Sequence, residues 1–142
     1  MKKVSVSLII ENSKGQILLL LRDDKQGIPF PNQWYILGGT AEEGESPEVA
    51  IKREMQEEIE LNLSELPPPK IYDWPDKVEY AFYIKKDLDL DNTPLHEGQR
   101  LQYFSREEIE GMELAFHDKE IARDFFMRKS ENNELSSNWK LS

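Results

Sequence analysis

Short runs of apolar, β-branched residues are separated by turn residues along the chain, a pattern typical of strands. The first run covers residues 4–10, turn residues occupy 12–15, and a second apolar run covers 16–22. We therefore expect two strands joined by a tight connection within one sheet. Later runs predict further strands at 34–37, 70–74, 78–84 and 100–104.

A longer segment after the third run has the apolar spacing of a helix. We expect it to begin at Ser46, whose hydroxyl can accept a backbone N–H, and at Pro47, which has no N–H to satisfy. The helix is predicted to continue to about Glu60. Its apolar stripe consists of Ile51, Met55 and Ile59.

The C-terminal part predicts two more helices. Ser105 and Glu108 have the spacing of a capping box, and Asp118 opens the last helix. From residue 130 onward Asn, Ser and Glu dominate, so we expect a tail that is mobile unless Trp139 packs against the rest of the protein. The predicted buried stripe of the last helix consists of Ile121, Ala122, Phe125 and Phe126.

The order of strands and helices favours an α/β fold in which a sheet carries helices on both faces. A chain of 142 residues fits one domain with a substantial core. Residues 67–69 are prolines, which form a stiff connector rather than a boundary because too little chain lies on either side for a second core. We predict a single domain over 1–128 and a polar tail over 129–142.

Composition narrows the classes of partner. The chain has 28 acidic and 18 basic residues and a net charge of −10, which argues against binding a nucleic acid polymer. An anionic small molecule would then need a cation at the site. The absence of cysteine leaves a reducing cytosol as the easiest compartment, so a cytoplasmic location is expected. No stretch is long enough to span a bilayer, so no membrane association is expected.

A dense group of acids lies beside a glycine turn. Glu45 lies six residues after Gly39, and Arg53 and Glu54 precede Glu57 and Glu58 on the predicted helix. Three of these acids share one helical face, which is unfavourable without a cation. An acidic helix face is usually a solvated surface, but the fixed intervals to a glycine and an arginine favour a metal site.

This segment, residues 39–61, resembles the Nudix box of the Nudix hydrolases, Gly-x5-Glu-x7-Arg-Glu-U-x-Glu-Glu-x-Gly-U with U aliphatic. Met55 and Leu61 occupy both U positions, and Glu60 replaces the second glycine. Because that glycine follows the helix in a left-handed conformation, either Glu60 tolerates the strain or Asn62 caps the helix instead. The resemblance implies a Nudix-like α/β/α sandwich with a mixed β-sheet.

The resemblance also implies roles for individual residues. The cofactor would be Mg²⁺ or Mn²⁺, hard ions that prefer oxygen ligands. Arg53 would orient a ligand, and Glu45 would tether the loop to the helix or contact metal indirectly. The expected metal ligands are the side chains of Glu54, Glu57 and Glu58 and the backbone carbonyl of Gly39.

The group that deprotonates the attacking water is left open between Glu58 and Glu97, because related enzymes use either a box glutamate or an acid from an outside loop. Trp34 and Tyr35 suit either stacking on a base or packing in the core. His96 and His117 lack partners at metal-ligand spacing and are interpreted as structural. Substrate contacts are expected from Arg22, Trp34, Gly38 and Gly39.

Together these features predict a metal-dependent hydrolase that cleaves the pyrophosphate bond of a nucleoside diphosphate linked to another moiety. The run from Glu97 through Phe104 to the Ser105 helix resembles family members that act on damaged nucleoside triphosphates, which favours an oxidised nucleoside triphosphate, whereas Pro75 is similar in position to a proline of ADP-ribose-cleaving members. The alternatives are an ADP-ribose or nucleotide-sugar pyrophosphatase and a non-catalytic nucleotide-binding module. Since many members of the family dimerise, a homodimer is a further expectation.

Overall fold

A mixed β-sheet forms the centre of the protein, and the computed structural model describes residues 2–131 and 139. The strands in this part of the chain are β1 (Lys3–Glu11), β2 (Ile17–Leu21), β3 (Trp34–Tyr35), β4 (Gly38–Thr40), β5 (Lys70–Asp73), β6 (Lys77–Lys85) and β7 (Arg100–Phe104). The helices are α1 (Pro47–Ile59), α2 (Arg106–Glu110) and α3 (Asp118–Glu131), with a short 3-10 turn at Leu90–Asn92.

The sheet combines parallel and antiparallel pairs. Its strand order is β3-β2-β1-β6-β5, with β4 paired to β1 and β7 paired to β2. β1 and β6 run parallel, so that Ser5 lies opposite Glu79, whereas β1 and β4 are antiparallel. The predicted mixed sheet is confirmed.

Helices cover both faces because successive side chains of a strand point to opposite sides. On one face Leu8 packs in a core cluster with Ile51 and Met55 of α1. On the other face Ile9 packs in a second cluster with Ile121 and Phe125 of α3. The predicted stripes of both helices are buried, and the expected arrangement of helices on both faces is confirmed.

The segment around Gly38 differs from the prediction. The expected strand at 34–37 ends at Tyr35, and a separate strand, β4, begins at Gly38 and pairs with β1. At Gly38 the two backbones approach so closely that a Cβ would lie 2.7 Å from the Cα of Ser7. A glycine is therefore required here, and a short strand forms where the sequence predicted a glycine turn.

The C-terminal region is tied to the core. α3 continues through Glu131, three residues beyond the domain boundary predicted at 128. Trp139 is fully buried, with its ring 5.9 Å from that of Phe125 and 6.0 Å from that of Tyr72. The predicted tail at 132–138 and 140–142 lies outside the described residues. No helix in the described part of the chain has the length and apolar character that a bilayer crossing needs.

Candidate active site

The helix that carries most of the acids, α1, has defined ends. Ser46 caps its start, with Oγ accepting a hydrogen bond from the backbone N–H of Val49 at 3.2 Å. At its end Glu60 adopts the left-handed conformation, with φ of 55°, and its N–H donates to Gln56 O. Two ways of ending α1 were expected, a strained Glu60 or a cap at Asn62, and the structure has the strained Glu60. The Glu60 carboxylate also lies 2.5 Å from His96 Nε2.

The side chain of Glu54 lies in the space beside Gly39 of β4. A Cβ on Gly39 would lie 2.5 Å from Glu54 Cδ and 2.8 Å from its Oε1, so only glycine leaves room for the carboxylate. Burial raises the pKa of Glu54, opposed by the nearby guanidinium of Arg53. β4 and α1 thus place the Glu54 carboxylate next to the backbone of Gly39. The sequence predicted that these two residues lie at the same site.

Glu58 is the most buried acid of the group, with 2% of its surface exposed. The Tyr35 hydroxyl donates to its Oε1 at 3.2 Å, and its Oε2 has no hydrogen-bond partner among the described residues. Burial, followed by the charges of Glu54 and Glu97, raises the pKa of Glu58 to about 8. This side chain is therefore mostly protonated near neutral pH when no cation is bound.

Arg53 organises the other acids. Its Nε and Nη2 donate to the two carboxylate oxygens of Glu45 at 2.7 and 3.0 Å, a bidentate pair. Its Nη1 donates to Glu57 at 3.0 Å and to Glu54 at 3.3 Å, and its Nη2 also reaches Thr40 O at 3.2 Å. Arg53 thus contacts Glu57 and Glu54, two of the ligands that the resemblance implies it could orient.

Glu45 connects the loop before α1 to the helix. Besides the pair with Arg53, it accepts a hydrogen bond from the backbone N–H of Glu42 at 2.7 Å. The hydrogen bond from Arg53 holds the pKa of Glu45 below its usual value. The structure therefore places Glu45 as a tether of the loop.

An open cleft of about 490 Å³ is lined by Glu54, whereas Glu57 and Glu58 are not among its lining side chains. Glu97 is exposed at the wall of the cleft. The loop after β6 that carries Glu97 is held against the end of α1 by a hydrogen bond from the His96 N–H to Glu58 O at 2.9 Å. Arg22 also lines the cleft, with its guanidinium 5.3 Å from the Tyr35 ring centre. The predicted site residues that line the cleft are Arg22, Gly38, Gly39, Glu54 and Glu97.

Other predicted residues lie elsewhere. Trp34 is absent from the cleft lining; its ring packs edge-on against Phe104 at 4.8 Å, with Arg100 over its face. His117 stacks on Trp74 and pairs with Asp76 at 2.9 Å. Core packing and surface pairing account for these two side chains.

Sequence reasoning missed three polar side chains of the cleft. Ser7, Glu79 and Asp118 line it and are almost completely buried. The alternation of Ser5 and Ser7 with valines in β1 was a readable signal, since it places hydroxyls on one face of the strand. Glu79 gave no such signal, because its position depends on the pairing of β1 with a distant strand.

A family model described as the NUDIX domain matches residues 1–126. The chain belongs to the Nudix family. The resemblance seen at residues 39–61 is therefore confirmed, and the acidic face of α1 with the adjoining β4 glycines is its Nudix box.

Curated relatives are similar over part of their length. An uncharacterized Nudix hydrolase of Listeria monocytogenes is 31% identical over 113 residues, 75% of this chain and 66% of that protein. The nucleoside triphosphatase NudI of Escherichia coli is 39% identical over 69 residues, 47% of this chain and 48% of NudI. The matched segments thus span about two thirds and about half of these relatives.

Solved structures share the fold. A MutT protein from Methanosarcina mazei Go1 has a TM-score of 0.67 at 23% identity, covering 92% of this chain and 96% of that chain. The NUDIX domain of Shewanella oneidensis NrtR, solved with ADP ribose, has a TM-score of 0.72 at 16% identity, covering 90% and 88%. At such identities the similarity concerns the Nudix fold alone.

The Nudix-box side chains fit a divalent cation in chemistry. The buried Glu58 Oε2 has no hydrogen-bond partner in the part of the chain that the structure describes, and the Glu54 carboxylate lies against the backbone of Gly39. Both are the oxygen donors that Mg²⁺ and Mn²⁺ prefer. Within residues 2–131 and 139 no three acidic or histidine groups are already gathered around one point, and Glu57 contacts Arg53 at 3.0 Å.

Proposed function

We propose that this Nudix protein is a divalent-metal-dependent hydrolase that cleaves the pyrophosphate linkage of a nucleoside diphosphate derivative. The observation that carries the proposal is the pairing of Glu54 with the Gly39 backbone at the cleft wall, next to the buried Glu58. Burying neighbouring carboxylates is costly unless a cation compensates them. A merely structural helix would not need this arrangement.

In the proposed reaction a water oxygen forms a bond to phosphorus, the bridging P–O bond breaks, and the leaving phosphate takes the bond electrons. Glu54, Glu57, Glu58 and the Gly39 carbonyl would hold Mg²⁺ or Mn²⁺, which supplies positive charge against the phosphate oxygens. Arg53 keeps Glu57 and Glu54 in position through its hydrogen bonds. Arg22 adds a second positive charge in the cleft.

The proton of the attacking water needs an acceptor. Glu97 is exposed at the cleft wall, whereas Glu58 is buried and accepts a hydrogen bond from Tyr35. The variants Glu97→Gln and Glu58→Gln distinguish the two candidates. Replacing the residue that accepts the proton should lower turnover with little change in Mn²⁺ affinity, whereas replacing a metal ligand should lower both turnover and Mn²⁺ affinity.

A nucleoside triphosphate, including an oxidised one, is the first substrate candidate, since the Escherichia coli relative is named a nucleoside triphosphatase. ADP-ribose is the second, because the structural neighbour from Shewanella oneidensis was solved with it and another neighbour, from Francisella tularensis, is a bifunctional NMN adenylyltransferase/ADP ribose pyrophosphatase. Nucleotide sugars present the same linkage to the box.

The test incubates a panel of these compounds with Mg²⁺ or Mn²⁺ and separates the cleavage products, of which a nucleoside monophosphate is the one expected from every compound. We expect turnover of at least one compound, and a loss of roughly a hundredfold or more in Glu57→Gln and Glu58→Gln with the fold intact. Glu107→Gln, an exposed acid of α2, is the matched control and should keep full activity. Saturable nucleotide binding without turnover of any compound would instead support a non-catalytic module.

A further inference from the structure

Gln99 ties the loop that carries Glu97 to the end of β2. Its backbone N–H donates to Leu21 O at 2.8 Å. Its side-chain nitrogen, Nε2, donates to Arg22 O at 2.7 Å and to Asn32 Oδ1 at 2.9 Å. One residue, two positions after Glu97, thus makes three hydrogen bonds to β2 and to the loop that follows β2.

The Gln99 side chain continues the pairing of β2 beyond the point where the strands end. β7 begins at Arg100, which lies opposite Leu21, the last residue of β2. The next residue, Arg22, donates its N–H to Gln33 O at 2.9 Å, just before β3. The carbonyl oxygen of Arg22 accepts from the Gln99 side chain. The backbone of Arg22 is therefore held on both sides.

The second hydrogen bond of the Gln99 side chain reaches the loop that orients the Arg22 guanidinium. Arg22 Nε donates to Pro29 O at 2.9 Å, so the position of this loop sets the direction of the guanidinium. At the end of the loop Asn32 has φ of 59°, and its N–H donates to Asp23 O at 3.1 Å. Asparagine is one of the few residues that adopt this conformation readily. The contact between Gln99 and Asn32 holds the loop at this end.

Glu97 is held on both sides along the chain. Gly98, between Glu97 and Gln99, has φ of 86°, and a Cβ there would lie 2.7 Å from Leu20 Cδ1. Both the conformation and the close approach to β2 favour glycine. On the other side, the His96 N–H donates to the last turn of α1 at 2.9 Å. Glu97 therefore lies between one hydrogen bond to α1 and three hydrogen bonds from Gln99.

Arg22 and Glu97 lie close to the same buried hydroxyl. Both side chains line the cleft. Burial is the main cause of the raised pKa of Tyr35; the charges of Glu58 and Glu97 raise it further, and the charge of Arg22 opposes them. The Arg22 guanidinium also lies 5.3 Å from the Tyr35 ring centre. A cation and an acid thus meet near Tyr35, and Gln99 is bonded to the segments that carry both.

We propose that Gln99 is a positioning residue that holds Arg22 and Glu97 at a fixed spacing in the cleft. Gln99 itself is absent from the cleft lining, so it acts through these two residues. The inference rests on the proposed function, because Arg22 and Glu97 belong to that active site. A displaced Arg22 binds the phosphates less well, and a displaced Glu97 no longer faces the acids of α1. Loss of the Gln99 contacts should therefore lower kcat/KM.

Gln99→Met removes the donor, since methionine is similar in length to glutamine but has no N–H in its side chain. We expect kcat/KM to fall by about fivefold or more with an unchanged Mn²⁺ affinity, because the metal ligands lie on α1 and β4. Gln102→Met, the same substitution within β7, is the matched control and should change neither quantity. Full kcat/KM in Gln99→Met, or an equal loss of Mn²⁺ affinity, would overturn the proposal.

Asn32→Gly tests the contact itself. Glycine suits φ of 59° and lacks the Oδ1 that accepts from Gln99. The loss of kcat/KM should be smaller than in Gln99→Met, because Arg22 O keeps its hydrogen bond. The double variant should be no worse than Gln99→Met alone. Losses that multiply in the double variant would contradict the role of this contact.

Amide hydrogen exchange gives a readout that does not depend on turnover. The N–H groups of Asn32 and His96 report the two segments, since they donate to Asp23 O and to the end of α1. In metal-free Gln99→Met both should exchange at least about threefold faster than in the parent protein. Faster exchange in a protein that cleaves no compound would leave the positioning by Gln99 standing and remove the proposed function. Unchanged exchange at both amides would overturn the inference even in an active hydrolase.

Discussion

The carboxylate of Glu54 lies where a β-carbon on Gly39 would have to be, with the Glu54 Cδ 2.5 Å from that position. Gly39 does not have the positive φ that would by itself demand glycine. The absence of a side chain at Gly39 leaves space for the Glu54 carboxylate. The size of the residue at position 39 therefore determines where Glu54 can lie.

Gly39→Ala should therefore abolish most activity with little loss of stability. The new methyl group collides with the end of a flexible side chain, so Glu54 can turn away without a backbone shift. We expect kcat/KM to fall about a hundredfold or more, and the free energy of unfolding without metal to fall by about 1 kcal/mol or less. Kinetics and urea denaturation measure the two.

Gly111→Ala is the matched control, since a Cβ there meets nothing closer than 3.7 Å and its φ is −88°. It should be neutral in both measurements. A Gly39→Ala variant with full activity, or one that fails to fold, would refute the steric explanation.

Metal binding should be linked to the proton of Glu58. Its pKa is raised to about 8 in the folded protein without metal, so a cation must displace a proton at neutral pH. The Mn²⁺ affinity should rise as pH increases from about 6 to about 8 and become constant above that value. Calorimetry in buffers of different ionisation enthalpy measures both the affinity and the released proton.

Tyr35→Phe tests the direction of this effect. The Tyr35 hydroxyl stabilises the ionised Glu58, so its removal should raise the Glu58 pKa further and shift the pH profile of Mn²⁺ binding upward. An Mn²⁺ affinity that is constant between pH 6 and 8 in the parent protein would contradict the assignment of Glu58 as a ligand.

Arg53→Lys should lower activity although it preserves the charge. A lysine cannot form the bidentate pair with Glu45 while also contacting Glu57 and Glu54. We expect kcat to fall by about tenfold or more because the ligand side chains lose their orientation. Arg123→Lys, which alters a bidentate pair with Glu110 on the surface, should leave kcat unchanged. Equal kcat in the two variants would show that Arg53 acts only through its charge.

Glu60→Gly should stabilise the protein. Glu60 has a left-handed conformation at the end of α1, which costs a residue with a Cβ about 1–2 kcal/mol and glycine almost nothing. Part of the gain is offset by the loss of the contact with His96. We expect the free energy of unfolding to rise by about 1 kcal/mol with unchanged kcat. Thermal and urea denaturation measure the gain, and a lower stability would show that the contact with His96 outweighs the strain.

Local patterns predicted much of this fold. The N-cap at Ser46, the capping box at Ser105 and the buried stripes of α1 and α3 follow from spacing within a few residues, and the structure has all of them. The Nudix-box spacing identified the family for the same reason, because its residues lie in one short strand-loop-helix unit.

What the sequence could not predict depends on distant strands and loops. The sequence indicates only a core or stacking role for Tyr35, yet Tyr35 donates a hydrogen bond to Glu58 from another part of the chain. Ser7, Glu79 and Asp118 line the same cleft only because of the register of β1 against β6 and the position of α3. The sequence does not locate Trp139, because nothing local shows that its ring is buried against Phe125.

The central claim is that the carboxylates of the Nudix box converge on a divalent cation. Anomalous diffraction from crystals soaked in Mn²⁺ tests it most directly. The account predicts a manganese peak bounded by the side chains of Glu54 and Glu58 and by the Gly39 carbonyl, at concentrations that support full turnover. Side chains turned to solvent with no ion between them at those concentrations would contradict it.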